Sequence, residues 1–408
     1  MSHSKKHAQL TGLPAEVQLL ILASRLELAA EDARFFDQII ESGPDWTGVI
    51  ADAKKMGMQG LLLKHINAPE RGPFVPANAL QALRNAYQKA AFRSLRIQGQ
   101  IRRLVEQARD RRVPLILLKG SALSLLIYGD MALRPMSDVD VLCRPKDVPV
   151  LEDVLHAQGY WARRLLTYSR LHEAVRRKRI HLPPYDHPKG VRVEVHLNLF
   201  GKETGCADLM DPVWEMAQEV TVDGFHFRTL SNEHMLLHLC LHLHKHIQAG
   251  RIVLYWFCDV FEFVRKTRDQ LDWEGFWAMA QRLGIEKAVG GIFKILHAGW
   301  GLPFPPSMPM RGDVETPPLS ALFDPDSASR AMLLHFLPER RRLLQEVAST
   351  YGVAASIGYA LRILLPTGDY IRAQYSPATR AAFFRCYVRH VYERLHRTLV
   401  SAGLQLLK

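Results

Sequence analysis

Two aspartates one residue apart, Asp138 and Asp140, are the side chains whose type and spacing say most about chemistry in this sequence. They lie in an alternating stretch, Met136-Ser-Asp-Val-Asp-Val-Leu-Cys143, which predicts a β-strand. Because side chains at positions i and i+2 of a strand point to the same face, the two carboxylates project together. Neighbouring carboxylates repel each other, and a hard divalent cation such as Mg²⁺ relieves that repulsion. The alternative is that the pair caps a turn or lies on a solvated face.

A turn and a second strand add further candidate groups to this pair. In the turn Lys119-Gly120-Ser121, the glycine lets the backbone approach a ligand, and the helix that follows offers free N–H groups to phosphate. Ser121 adds a hydroxyl, and Lys119 adds a charge that either reaches a triphosphate or neutralises the acidic cluster. Glu194 lies on the polar face of an alternating stretch, Val191-Arg-Val-Glu-Val-His-Leu-Asn-Leu199. A third carboxylate beside the pair would complete a site for two Mg²⁺ ions and a nucleoside triphosphate.

The elements that must position these groups form an α/β (α+β) pattern, with helical regions on both sides of a small mixed sheet. Three strands are predicted, over residues 113–118, 137–143 and 191–199, with short helices at 121–128 and 147–158. The predicted divisions are 1–112 (helical), 113–230 (α/β core), 231–300 (helical body), 301–326 (proline-rich linker) and 327–408 (basic helical tail).

Composition is that of an ordinary globular protein, with 48% apolar and 23% charged residues among 408. The net charge of +12 favours an anionic partner. Five scattered cysteines without a CxxC motif argue against a disulfide framework and for a reducing compartment. No apolar run approaches the ~20 residues of a membrane span, so we expect a cytoplasmic protein. The basic run from Arg163 to Arg179 is either a solvated helix face or a guide for phosphates.

Taken together, these motifs resemble the uncharacterised nucleotidyltransferase family of the DNA-polymerase-β superfamily. The resemblance rests on their order, and covers about residues 15–300 and, more loosely, 364–370. Its residues are Leu118-Lys-Gly-Ser-Ala-Leu123, Tyr128, Arg134, Asp138-Val-Asp-Val-Leu142, Val193-Glu-Val-His196, Leu239-Cys-Leu-His242, Lys245-His246 and Asp259. The resemblance implies a polymerase-β-type nucleotidyltransferase core in which Asp138, Asp140 and Glu194 bind metal. It also implies that Gly120 and Ser121 hold the triphosphate. In this sequence Ala122 and Leu123 follow the Gly-Ser pair, where the wider superfamily usually has a further Gly or Arg.

The hypothesis is therefore an enzyme that transfers a nucleoside monophosphate from an NTP to an acceptor and releases pyrophosphate, using Mg²⁺ or Mn²⁺. The catalytic and metal-binding residues would be Asp138, Asp140 and Glu194. Lys119, Gly120, Ser121 and Arg134 would bind the nucleotide. The sequence leaves open whether the acceptor is a protein, an RNA or a small molecule. A non-catalytic nucleotide- or RNA-binding protein with the same fold is the alternative.

Three side-chain groups have more than one interpretation. Arg134 either contacts phosphate or base or pairs with one of the aspartates. His196 either orients Glu194 or is a structural histidine. Histidines recur every fourth residue in a predicted helix: His234, His238, His242 and His246. They could chelate Zn²⁺, but the favoured interpretation is that some line the cleft and others pack in the core.

Overall fold

The computed structural model describes residues 10–162, 182, 184–187, 191–200, 210–250, 252–308, 316–323 and 379–401. Within these ranges the chain forms one mixed β-sheet and a large set of α-helices, so the α/β class is confirmed. The strands are β1 (Leu115–Leu117), β2 (Asp138–Cys143), β3 (Trp161–Ala162), β4 (Tyr185–Asp186), β5 (Arg192–His196), β6 (Gln218–Val222) and β7 (Phe225–Thr229).

The helices of the described residues lie before, between and after the strands of the sheet. They are α1 (Ala15–Ala23), α2 (Ala30–Glu41), α3 (Trp46–Lys55), α4 (Gln59–Ile66), α5 (Ala77–Asp110), α6 (Lys119–Leu126), α7 (Val148–Ala157), α8 (Met210–Glu215), α9 (Asn232–Gln248), α10 (Leu254–Thr267), α11 (Trp273–Arg282), α12 (Glu286–Trp300), α13 (Leu319–Leu322) and α14 (Arg380–Ser401).

The sheet has the strand order β3-β4-β5-β2-β1-β7-β6. Strand β2 runs parallel to β5 and antiparallel to β1, and β1 runs parallel to β7. All three residues of β1 are buried, as the short apolar run in the sequence indicates for a central strand. The two strands that carry the candidate acids are therefore direct neighbours near the middle of the sheet.

The hairpin of β6 and β7 was missed among the three predicted strands. Its turn is Asp223-Gly224, and both residues have positive φ, 48° and 70°. An Asp-Gly pair with positive φ at both positions makes the two-residue turn that suits the twist of antiparallel strands. Val222 and Phe225 pair across it. The Asp-Gly pair between two alternating runs was the signal that predicts this hairpin. Strands β3 and β4, of two residues each, are too short to leave a periodic signal.

Helix α5 is the long element of the N-terminal region, with 34 residues. Its buried side chains recur at helical spacing, including Leu83, Ala90, Ile97, Ile101 and Leu104. This apolar stripe packs on the rest of the protein and leaves a polar face open to solvent. Helices α3 and α4 pack against it.

Helices α9 to α12 form the helical body, and their ends carry the expected local signals. The Ser231 hydroxyl accepts a hydrogen bond from the N–H of His234, and the Asp272 carboxylate accepts one from Gly275. Helix α12 ends at Gly301, which has a left-handed φ of 71°. Helices α9 and α10 both pack against α6, the short helix that follows the Lys-Gly-Ser turn. The body thus covers the site side of the core.

The described parts of the predicted linker, residues 301–308 and 316–323, pack on this body. Leu302, Met308, Leu319 and Leu322 are buried, and the Trp277 indole N–H donates to the Pro306 carbonyl at 3.3 Å. The basic run 163–179, the segment 364–370 and most of the predicted tail lie outside the described residues. None of the described helices has the length and apolar content that a membrane crossing requires.

Candidate active site

The register between β2 and β5 brings the predicted carboxylates to one face of the sheet. Asp140 lies directly opposite Glu194, and Asp138 lies opposite Arg192. Oxygen atoms of Asp140 and Glu194 and a ring nitrogen of His196 all lie within 4.8 Å of one another. Asp138 precedes Asp140 by two residues, so it shares that face. Arg192 does not neutralise it, because its guanidinium donates to Asp186 at 3.0 Å.

The Lys-Gly-Ser turn is fastened to β2 at Asp140. The Leu118 N–H donates to the Asp140 carbonyl at 3.1 Å, and the Asp140 N–H donates to the Ser121 hydroxyl at 2.9 Å. Lys119, between them, has a φ of +45°, which is uncommon for a residue with a side chain. Backbone of this kind persists where the surroundings hold it, and it clusters at functional sites. The turn is therefore held against the strand that carries the acids.

Two cationic or polar side chains converge on one oxygen of Asp140. Lys119 Nζ lies 2.8 Å from Oδ1, and His196 Nε2 lies 2.7 Å from the same atom. Lys119 thus contacts the acidic cluster, which is one of its two predicted roles. His196 contacts Asp140 through Nε2. That His196 orients Glu194 stays a prediction, since ligand atoms of the two residues lie within 4.8 Å.

The electrostatics of the three carboxylates differ. Burial alone would raise the pKa of Asp140, but Lys119 and His196 hold it well below its usual range. Burial and the charges of Asp140 and Asp138 raise the pKa of Glu194 from 4.5 to about 7. Burial and the Asp140 charge also raise the pKa of Asp138. Two of the three acids, Asp138 and Glu194, therefore resist ionisation when no cation is near. A bound divalent ion would favour their ionised forms.

The donor set fits the implied metal. Carboxylate oxygens from Asp138, Asp140 and Glu194 are the hard ligands that Mg²⁺ prefers, and they lie on one face at adjacent strands. Among the described residues, Asp140, Glu194 and His196 are the one group whose ligand atoms are close enough to share an ion; Asp138 shares the face but lies outside this group. The histidine nitrogen would suit a softer metal, but it already contacts Asp140.

Arg134 has a different partner from those predicted. Its guanidinium forms a two-pronged ion pair with Asp259 of α10, through Nε at 3.2 Å and Nη2 at 2.7 Å. The Tyr128 hydroxyl donates to the same carboxylate at 2.7 Å, and the guanidinium lies 4.5 Å from the centre of the Tyr255 ring. The prediction that Arg134 pairs with one of the two strand aspartates was therefore wrong. Its predicted contact with the nucleotide stays a prediction.

Gly120 packs directly on the Arg134 guanidinium. A Cβ added at Gly120 would meet Nη1 and the central guanidinium carbon well inside contact distance. The glycine is thus required where the turn crosses the buried ion pair. Asp259 was recognised only as part of a motif, and its role was missed because its partner lies 125 positions earlier in the chain.

The predicted histidine stripe has mixed surroundings. His234 contacts the Ser231 hydroxyl at 2.9 Å as part of the start of α9. His238 lies edge-on to His196, with ring centres 6.1 Å apart, and His242 and His246 both pack against Trp256. Burial lowers the pKa of His238 and of His242. In the described part of the chain these four residues do not gather around one point, so they line the side of the site and pack α9 against α10.

Residues 42–301 match the model of a family described as uncharacterised nucleotidyltransferase. The chain belongs to this family. The resemblance stated from the sequence is thereby confirmed.

Two solved structures are also similar, at a distance. The antibiotic-resistance factor ANT(2'')-Ia has 12% identity and a TM-score of 0.31, with 50% of this chain and 94% of that chain covered. An antigenic nucleotidyltransferase-like protein from Paracoccidioides brasiliensis has 13% identity and a TM-score of 0.31, with coverage of 52% and 96%. Among curated proteins, none matches this chain.

Proposed function

We propose that this nucleotidyltransferase-family protein transfers a nucleoside monophosphate from an NTP to an acceptor hydroxyl, with release of pyrophosphate. The observation that carries the proposal is the β2–β5 register, which sets Glu194 opposite Asp140 on the face that also holds Asp138. A single-residue slip would move Glu194 to the other face of the sheet. Three carboxylates together on a partly buried face favour cation binding over a purely structural role.

In this proposal Asp138, Asp140 and Glu194 hold Mg²⁺, with Mn²⁺ as the alternative ion. Divalent cations at such a site neutralise phosphate charge and make a hydroxyl more acidic. The acceptor oxygen forms a bond to the α-phosphorus, and the bond from that phosphorus to the bridging oxygen breaks. The leaving group is pyrophosphate. The hydroxyl proton leaves to solvent water as the new bond forms, and Glu194 serves as a ligand of the cation in this step.

The turn would hold the triphosphate of the donor. The backbone N–H of Gly120, at the start of α6, would face phosphate oxygens. Ser121 would offer its hydroxyl, because its own N–H donates to the Leu118 carbonyl at 3.0 Å. Lys119 would exchange Asp140 for a phosphate oxygen when the nucleotide binds, because its Nζ already lies at the edge of the acidic cluster. Arg134 would position the turn, because its guanidinium packs against Gly120 and is held by the buried ion pair with Asp259.

Incubation of the protein with each radiolabelled NTP, Mg²⁺ and cell extract tests the proposal. We expect label attached to an acceptor with the wild-type protein, and a loss of at least about 100-fold with Asp138→Asn. Asp138 is the informative position because it is only half buried and, within the described residues, its carboxylate accepts a hydrogen bond only from its neighbour Ser137. Asp153→Asn, an exposed change of the same kind on α7, is the control and should retain activity.

A non-catalytic binding protein with this fold is the second candidate. The observation that favours it is that Lys119 and His196 both contact one Asp140 oxygen, an arrangement that a structural role also explains. Nucleotide that binds but is never cleaved, with wild type and Asp138→Asn behaving alike in the transfer assay, would refute the enzyme and support the binder.

A further inference from the structure

A cleft opens beside the acidic face, between α3, α5, the segment before β2 and the start of α10. Its volume is about 750 Å³, within the range of pockets that hold small molecules. Its lining includes Lys54 and Lys55 from the end of α3, and Lys89 and Arg93 from the middle of α5. The Tyr255 ring forms part of the wall and lies against Gly57, where a left-handed φ of 70° and the missing side chain leave room for it.

The charges around this cleft have one sign. Four of its lining side chains are cationic, and no Asp or Glu is among the residues that line it. In the part of the chain that the structure describes, these four side chains form no ion pair with a carboxylate. Other cations of the N-terminal region are paired: Lys64 with Glu27, and Arg71 with Asp37. Several unpaired cations around one concave surface repel one another and attract an anion. Lys and Arg side chains both bind phosphate, Lys as a point charge and Arg through its planar fork of donors.

The cleft lies next to the acids but is not built from the nucleotide turn. Ser137 lines it, and the Ser137 hydroxyl donates to Asp138 at 3.1 Å. Neither Gly120 nor Ser121 lines it; Arg134 and Tyr255 connect the turn to the cleft wall. An anion in the cleft would therefore have its own binding surface while the rest of the same molecule reached the Asp138 end of β2.

We propose that this cleft binds a phosphate group of the acceptor, and that the acceptor is thus a phosphate-bearing molecule. The inference rests on the proposed function, because it assigns the second substrate of the same site. A small phosphorylated compound and the phosphorylated end of an RNA both present this chemistry.

Equilibrium binding of two probes tests the inference: inorganic phosphate, and a short RNA with a terminal phosphate. The double variant Lys89→Gln/Arg93→Gln should bind both at least about tenfold more weakly than wild type, and the slope of RNA affinity against salt should fall by about 1 to 2. The matched control is Arg103→Gln/Arg109→Gln, which removes the same charge from exposed positions of α5 outside the cleft. It should change either affinity by less than about twofold. Equal binding by wild type and the cleft variant would overturn the proposal.

A third variant separates the two sources of phosphate. Phe92 precedes Arg93 and is 73% exposed, so its ring is available for a base to stack on. If the acceptor is RNA, Phe92→Ala should weaken binding of the RNA probe by about fivefold or more and leave inorganic phosphate binding unchanged. If the wild type binds the RNA probe no more tightly than inorganic phosphate and Phe92→Ala changes neither affinity, the source is a small phosphorylated compound.

Failure of this inference differs from failure of the proposed function. Binding of a fluorescent NTP analogue should be the same in wild type and the cleft variant, because the cleft excludes the nucleotide turn. Transfer of label that proceeds equally in wild type and the cleft variant overturns the cleft assignment and leaves the enzyme in place. Cleft-dependent phosphate binding without any label transfer overturns the acceptor role together with the proposed function.

Discussion

Replacing Glu194 with Gln should stabilise the metal-free protein at alkaline pH. Charged Glu194 is half buried and faces Asp140 and Asp138, and these surroundings raise its pKa from 4.5 to about 7. At about 1.4 kcal/mol for each pKa unit, this corresponds to about 3 kcal/mol of cost for the ionised side chain. Solvent screening at a partly exposed position lowers the figure, so we expect Glu194→Gln to gain about 1 to 3 kcal/mol in free energy of unfolding.

The sign of the effect sets its pH range. Below about pH 4.5 the carboxyl is protonated in the folded and the unfolded chain, so wild type and variant should differ little. Between about 4.5 and 7 the unfolded chain releases the proton more readily, and the wild type loses stability relative to the variant. Above about pH 7 the loss is complete and the difference between the two proteins is constant.

Urea denaturation in the presence of a chelator, at pH values on both sides of this range, measures the difference directly. The control is Glu219→Gln on β6, whose carboxylate is 83% exposed and should give the same small difference at every pH. Added Mg²⁺ should then stabilise wild type more than Glu194→Gln, because the ion replaces the repulsion with attraction. A stability difference that stays flat from about pH 5 to about pH 8.5 would refute the argument that crowded carboxylates raise the pKa of Glu194.

The remaining predictions concern the supports of the site. Gly120→Ala should lower the free energy of unfolding by about 2 kcal/mol or more in urea denaturation, because the new methyl group meets the Arg134 guanidinium. The control is Gly99→Ala, where the added atom meets nothing within 4 Å, and it should be neutral or stabilising. Equal effects at the two glycines would contradict the packing argument. Asp259→Asn should lower the free energy of unfolding by about 3 to 5 kcal/mol, because it leaves the buried Arg134 charge without its partner. A decrease below about 1 kcal/mol would show that the ion pair is not needed for stability. Asp140→Asn should lower the melting temperature while Asp138→Asn should not, because only Asp140 holds both Lys119 and His196; equal melting temperatures would argue against that network.

Much of the core could be predicted because its signals are local. Alternation of apolar and polar residues places Asp138 and Asp140 on one face of a strand and Glu194 with His196 on one face of another, whatever the rest of the chain does. A glycine between a buried run and a helix likewise indicates a turn at Lys119-Gly120-Ser121. Short edge strands were missed since two residues carry no period, and the β6–β7 hairpin was missed although its Asp223-Gly224 turn is a local signal.

The sequence by itself determined which acids share a strand face and to which family the order of motifs belongs. Only the tertiary structure decided that β5 lies parallel to β2 with Glu194 opposite Asp140, that His196 and Lys119 meet on one Asp140 oxygen, and that Arg134 pairs with Asp259. It also decided that lysines of α3 and cations of α5 line one cleft. The physical reason is that periodicity fixes the direction of a side chain within its own element, whereas its partner depends on strand order, register and helix packing between residues far apart in the chain.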